Sequence, residues 1–308
     1  MIAIRDAYGD ALAALGGHNK NIVVLEADVG SSSKSIVFGR AFPDRYFNVG
    51  ISELNMNAMA AGFASCGLVP FTNTFSVFMT LRGGDPINSL IAYDNLNVKL
   101  AGTYCGLSDS YDGASHHSIS DISTLRAIPN IVILSPCDAT QTRQAVYAAA
   151  KYVGPVYLRL SRAVAPVVFE DSFPFEIGKG VVFKEGTDIT IVSTGQIFHE
   201  CIEAANLLAQ EGISARLVNI HTVKPLDADL IIESAKKTGA ILTVEEHSIY
   251  GGLGSAVAEI CGASEPVPID IVGITEFSES GDYDALLEKH GLKAKHIAAR
   301  AAVLQKRK

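Results

Sequence analysis

The sequence predicts an α/β protein made of two consecutive open domains, each built on a mostly parallel sheet. Short runs rich in Val, Ile and Leu alternate with helix-period segments along the whole chain. The length, 308 residues, suits two domains better than one core. Periodicity lapses over AVAPVVFEDSFPFEIG (163–178), which Pro166 and Pro174 interrupt. We therefore place a first domain at 1–165, a linker at 166–179 and a second domain at 180–308.

The elements follow in order. The first domain's strands are expected at 21–27 (NIVVLEA), 45–49 (RYFNV), 68–74 (LVPFTNT), 98–104 (VKLAGTY), 130–136 (NIVILSP) and 155–160 (PVYLRL). Helical spacing covers 53–64, through Leu54, Met56 to Met59, and Phe63. A second helix is expected over 138–151, with Asp138 as its N-cap. In the second domain the reading is strand and turn at 187–195, then helix at 197–211 and strand at 213–220. Helix 227–237, strand 239–246, a helix opened by GGLGSAVAEI at 251–260, and strand 266–274 complete it. The halves show no internal repeat. The connection from Tyr104 to Ser120 is rich in Gly, Ser and Asp and long for a βα loop, as functional or disordered loops are.

Composition narrows the function. Hydrophobic residues at 48% and charged residues at 19% describe a globular protein. A net charge of -8 and a pI near 5.5 argue against nucleic-acid and anionic-membrane partners. The short basic KRK at 306–308 reads as a solvated tail. Cys66, Cys105, Cys137, Cys201 and Cys261 form no C-x-x-C pair, and their odd number suits a reducing compartment. MIAIRDAYGD carries early charge and has no apolar signal region, and no apolar run reaches membrane-spanning length. The expectation is a cytoplasmic protein.

Glu53 opens a helix just after a strand and the turn GIS, where a helix N-terminus favours an anion. An ordinary first-turn Glu would look the same. Here, however, the Met- and Ala-rich helix has few charges and is expected to be buried, so its acid needs a partner or must titrate upward. Phe75 and Phe78 fall at i, i+3 on one expected helix face. They read as core residues or as a stacking surface for a flat heteroaromatic ring. Asp112, His116 and His117 share a polar loop and could orient hydroxyls or move protons. No other His or Cys stands at zinc-ligand spacing, and no metal site is assigned. Arg5, Arg159 and Arg162 are candidate anion clamps, although most arginines are surface ion-pair partners. Ser31 to Ser33 could add donors. GGLGS at 251–255 resembles a phosphate cradle only superficially, because tight packing explains it equally well.

Several segments in order, NVGISELNMNAMAAGFA (48–64), TFSVF (74–78), DGASHHSISDISTLRAIPNIVILSP (112–136), VYLRLSR (156–162) and VEEHSIYGGLGSAVAE (244–259), together resemble the C-terminal half of transketolase. The resemblance spans nearly the whole chain. It implies a pyrimidine-binding domain followed by the transketolase C-terminal domain, with thiamine diphosphate as cofactor. In that family the cofactor's pyrophosphate and Mg²⁺ are held by the N-terminal half, and no GDG with a downstream Asn pair occurs here. The implied protein is one subunit of a split transketolase. It would work in an α2β2 heterotetramer with an N-terminal subunit and move a two-carbon ketol unit from a ketose to an aldose.

The resemblance also implies roles for single residues. Glu53 would bond N1′ of the aminopyrimidine and help activate the cofactor. Phe75 and Phe78 would stack on that ring, with Leu81 where relatives often have Tyr, and Asp28 would lie near the thiazolium. His116 would face substrate oxygens and Asp112 would read a hydroxyl. Arg5, Ser32 and Arg162 would grip the sugar's terminal anion. Two departures cluster at that end. Tyr104 stands where relatives place a phosphate-binding His, and Tyr111 replaces an acid. They point to a sulfonate, shorter or branched sugar in place of a standard phosphate. Three rival readings are a 2-oxoacid dehydrogenase β subunit, the same fold in 1-deoxyxylulose-phosphate synthase, and a non-catalytic interaction subunit. No chemistry is assigned to Glu245, Glu246 or His247.

Overall fold

The computed structural model describes all 308 residues. In chain order the strands are β1 (Ile2–Ala3), β2 (Ile22–Glu26), β3 (Tyr46–Asn48), β4 (Val69–Phe75), β5 (Lys99–Thr103), β6 (Val132–Leu134), β7 (Val156–Leu160), β8 (Val164–Ala165), β9 (Val181–Lys184), β10 (Ile189–Ser193), β11 (Ala215–Asn219), β12 (Thr222–Lys224), β13 (Ile241–Ser248) and β14 (Ile269–Ile274). Two open sheets result. One has seven strands in the order β12-β6-β7-β5-β4-β2-β3, the other five in the order β14-β13-β10-β11-β9. Pairing is parallel except for the edge strands β12 and β9. The α/β, mostly parallel architecture expected from the sequence is thus the one observed. Its central strands are buried along their whole length, as a sheet covered by helices on both faces requires.

Local chemistry explains the helix boundaries. Asp138 and Asp227 cap their helices by accepting from Gln141 N (2.8 Å) and Leu230 N (3.3 Å). The helix Glu53–Ser65 starts without a side-chain cap from Ser52. It is also less buried than expected. Met56, Asn57, Ala60 and Ala61 pack inward, but Leu54 and Gly62 face outward, as does Ile51 in the turn before them. Phe75 ends β4 instead of joining the following helix Ser76–Leu81, so Phe78 alone is helical.

Four short strands escape the sequence reading because none is long enough for a period. β1 pairs with β8 through Ile2↔Ala165, returning the chain after β7 to its own start. β12, which follows β11 of the second sheet, pairs with β6 of the first. The Asp138 carboxylate accepts from Val168 N and Phe169 N (2.8 and 2.9 Å), so the proline-interrupted stretch is tied down there. Phe169 packs in the second unit's core, and one hydrophobic cluster runs from Val23, Leu100 and Ile133 to Val192, Val218 and Val257.

The cations inside these strands need partners. Lys99 donates to the carbonyls of Tyr152 and Gly154 (2.8 and 2.7 Å), and burial lowers its pKa to about 7. Arg159, in β7, donates through Nε to Asp121 Oδ2 (2.7 Å) and through Nη2 to the carbonyl of Glu246 in β13 (2.9 Å). The Tyr157 hydroxyl donates to the same Asp121 oxygen at 2.8 Å. Arg159→Ala strands a buried carboxylate, and the expected cost is about 3–5 kcal/mol. Denaturant unfolding of the variant checks this, and Asp121→Leu with Arg159→Met is expected to recover most of the loss.

Candidate active site

Parallel strands end on one edge, and the loops leaving that edge carry ligand sites in open α/β sheets. The candidate residues leave the first sheet there. Asp28 and Ser32 follow β2, Glu53 follows β3, Phe75 and Phe78 stand at the end of β4, Tyr104, Asp112 and His116 follow β5, and Arg162 follows β7. Arg5 reaches the same edge from the helix Ile4–His18.

The fold joins most of them into one belt. Glu53 is buried, and Arg82 Nη1 lies 3.9 Å from its Oε1. The Arg82 guanidinium stands 4.1 Å over the Phe78 ring. Phe78 meets His116 edge-on at 5.2 Å, and Phe75 lies 6.0 Å from Phe78. Phe75 stacks on Tyr104 with centroids 4.4 Å apart and planes 25° apart. Tyr104 then meets two guanidiniums, those of Arg5 and Arg162, each 5.2 Å from its ring. Arg5 also donates to the Tyr104 hydroxyl and to the Ser32 carbonyl.

Asp28 stands apart from this chain of contacts. Its φ of 59° is one that Asp tolerates, and it accepts from Asn48 Nδ2 at 2.9 Å. Beneath it, buried Glu26 accepts from Val29 N at 2.6 Å and shapes the turn. Burial raises the Glu26 pKa. Asp112 is exposed beside Asp109, and the Ser115 hydroxyl lies 3.0 Å from His116 Nδ1.

Sequence reading missed two members. Arg82 links Glu53 to Phe78, and its i+4 spacing from Phe78 was the available signal. Asp109 pairs with Arg162 at 3.1 Å, and nothing in the loop's polar composition marks it out. The loop itself is ordered, with Tyr104 to Ser110, His117 and Ser118 buried. Burial lowers the His117 pKa. Leu81 is exposed beside the belt.

Arg159 lies behind the site in its ion pair and holds no outward clamp. GGLGS opens the helix Leu253–Ser264, whose first N–H groups are already met from within the chain. The Glu245 carboxylate accepts from Leu253 N and Gly254 N at 2.7 and 2.8 Å. Burial raises Glu245 to about 7 and lowers His247 to about 4. The belt is an open ledge. A concavity of about 440 Å³ lies elsewhere, between Asn88, Tyr93 and Asn130. No helix is long and apolar enough to cross a membrane.

Comparison with known proteins accounts for this layout. Residues 1–167 match the transketolase pyrimidine-binding domain and residues 178–297 the transketolase C-terminal domain. The chain is 41% identical to a putative transketolase C-terminal section from Methanocaldococcus jannaschii, covering 96% of this chain and 94% of that one. It is 40% identical to the 6-deoxy-6-sulfo-D-fructose transketolase subunit SqwH of Clostridium sp. (strain MSTE9), covering 99% and 95%. It is 37% identical to one of the subunits of the apulose-4-phosphate transketolase of Phocaeicola vulgatus, covering 90% and 88%. A solved split-gene transketolase, described as an inactive β4 tetramer, superposes with a TM-score of 0.92 at 45% identity, covering 100% and 99%. A transketolase of Campylobacter jejuni shares the fold at a TM-score of 0.83 and 23% identity, with 98% of this chain matching 46% of that one. With both domains matched in order and relatives of nearly equal length, the chain belongs to the transketolase family, among its split C-terminal sections.

Proposed function

We propose that this chain is the C-terminal subunit of a two-chain, thiamine-diphosphate-dependent transketolase that moves a two-carbon ketol unit from a ketose to an aldose. One observation carries the reading. Glu53 is a buried carboxylate at an uncapped helix start, with only Arg82 as a distant ionic partner, beside an open aromatic ledge. No group of the chain donates a hydrogen bond to this carboxylate, which leaves it free to accept one from a ligand on the ledge.

The residues present fit the aminopyrimidine end of the cofactor. Glu53 would share a proton at the ring nitrogen N1′, and Phe75 and Phe78 would cover the ring's face. Asp28 would stand toward the thiazolium. The bound cofactor would supply the nucleophilic carbon that cleaves the ketose and keeps its two-carbon fragment. Its pyrophosphate and Mg²⁺ are assigned to an N-terminal partner subunit in an α2β2 assembly. His116 would contact substrate oxygens and Asp112 a substrate hydroxyl. Arg5, Ser32, Tyr104 and Arg162 would form the acceptor end. Split relatives that act on a sulfo-sugar and on apulose 4-phosphate support a sugar other than the standard phosphates. The description of a β-only tetramer as inactive fits a chain that needs its partner, and the exposed Ile51 and Leu54 beside Glu53 offer an apolar contact for it.

Glu53→Gln in the reconstituted complex is expected to lower kcat by at least about 10²-fold in a ketol-transfer assay. Full turnover by that variant would leave the chain as a scaffold. Calorimetric titration of the isolated chain with thiamine diphosphate and Mg²⁺ is expected to give weak binding that tightens when the partner is added. Equally tight binding by the isolated chain would remove the need for a shared site.

A further inference from the structure

Asp109 sits in the loop after β5 with its side chain wholly buried. Its Oδ1 lies 3.1 Å from Arg162 Nη1, and its Oδ2 is buried with no hydrogen-bond partner. Arg162 is also held from other sides. Its backbone N–H donates to Ser108 Oγ at 3.2 Å, and its guanidinium rests over Tyr104. Arg5 shares the same tyrosine but has the Ser32 carbonyl and a hydroxyl as acceptors, not a carboxylate. Of the two guanidiniums at this end, one is therefore neutralised from within the chain and one is not.

Keeping a carboxylate in that place is unfavourable. Burial, and then the neighbouring Asp112 carboxylate, push Asp109 up to about 7, and Arg162 pulls it only part of the way back. An amide or apolar side chain would fill the space with less desolvation. Packing alone does not account for an acid here, whereas control of the Arg162 charge does.

We infer that Asp109 is a positioning residue that selects substrates by the charge of the sugar tail. By occupying Arg162 it tunes the acceptor end to a singly charged terminus, such as a sulfonate, against a phosphate dianion. The inference rests on the transketolase reading of this site. A phosphate monoester carries nearly two charges above neutral pH, and a sulfonate carries one. At pH 8 the ionised Asp109 offsets one of the two guanidiniums, and the neighbouring Asp112 carboxylate lowers the local positive charge further, which favours a sulfonate over a phosphate dianion.

The test compares aldose acceptors of equal length with sulfonate and phosphate tails, using the assembled complex near pH 8. Wild type is expected to favour the sulfonate in kcat/KM by about tenfold, the order of the net gain from one hydrogen bond to a charged group. Asp109→Asn is expected to move that ratio about tenfold toward phosphate, through KM more than kcat. Adding Arg162→Gln to that variant is expected to abolish the shift, which a merely structural defect would not do. Wild-type preference for phosphate overturns the inference, even if the Asn variant does not fold. A folded Asn variant with an unchanged ratio overturns it as well. Calorimetric titration of the full chain with inorganic phosphate and with methanesulfonate reads the same discrimination without catalysis. If the complex transfers no ketol unit but the titration shows the expected ratio and shift, the transketolase reading falls and charge selection stands. If the titration shows neither, charge selection falls.

Discussion

The buried pair of Arg159 and Asp121 holds three parts of the molecule to one another. Arg159 projects from a fully buried strand, where an uncompensated guanidinium would cost several kcal/mol. Asp121 begins the helix that follows the His116 loop, and the Glu246 carbonyl belongs to the second sheet. One side chain therefore ties together the first sheet, the loop of the candidate site and the second unit. Burial alone would raise the Asp121 pKa. Arg159, His247 and the Tyr157 hydroxyl outweigh it and hold the carboxyl below its usual range. Charge-assisted bonds with this geometry are strong, but their larger effect is to leave the loop one path.

That path is set further by a second polar group on the same seam. Glu246 Oε1 accepts from Leu107 N at 2.6 Å, and Oε2 accepts from the Tyr283 hydroxyl at 2.7 Å. A side chain at Gly106, where φ is 62°, would strike Glu246 Oε1 at 2.3 Å, so only glycine fits that turn. The second unit thus presses directly beneath the loop carrying Asp109, Asp112 and His116. Glu245, Glu246 and His247 face this seam and the start of the helix Leu253–Ser264, which gives them structural partners throughout.

The belt from Glu53 to Arg162 is a run of aromatic rings with guanidiniums at both ends. Each ring accepts a cation or another ring, so the ledge is rigid without being enclosed. A rigid ledge open on one side suits a ligand covered from the other side by a second chain. Its two ends differ chemically. At Glu53 a carboxylate has little compensation, whereas at Arg162 a cation is already paired.

Much of the fold was legible in the chain because it rests on local rules. Buried parallel strands read as continuous apolar runs, as in IVVLE and VYLRL. Asp138 announces its helix because an N-cap depends only on residues three positions away. Glu53 and His116 stood out because one opens a helix just after a strand and the other lies in a long polar loop, whereas Phe75, expected on a helix face, ends β4 instead. The strand β12 could not be read this way, because three residues have no period and their partner lies in the other sheet. Nor could the links Glu53–Arg82–Phe78 and Asp109–Arg162, the latter spanning 53 positions. By itself the sequence determined the sheet class, the starts of some helices, such as those at Glu53 and Asp138, and the chemical types offered at the candidate site. Tertiary structure alone decided which charges meet, because an ion pair depends on a separation of a few ångströms that only the folded path of the chain sets.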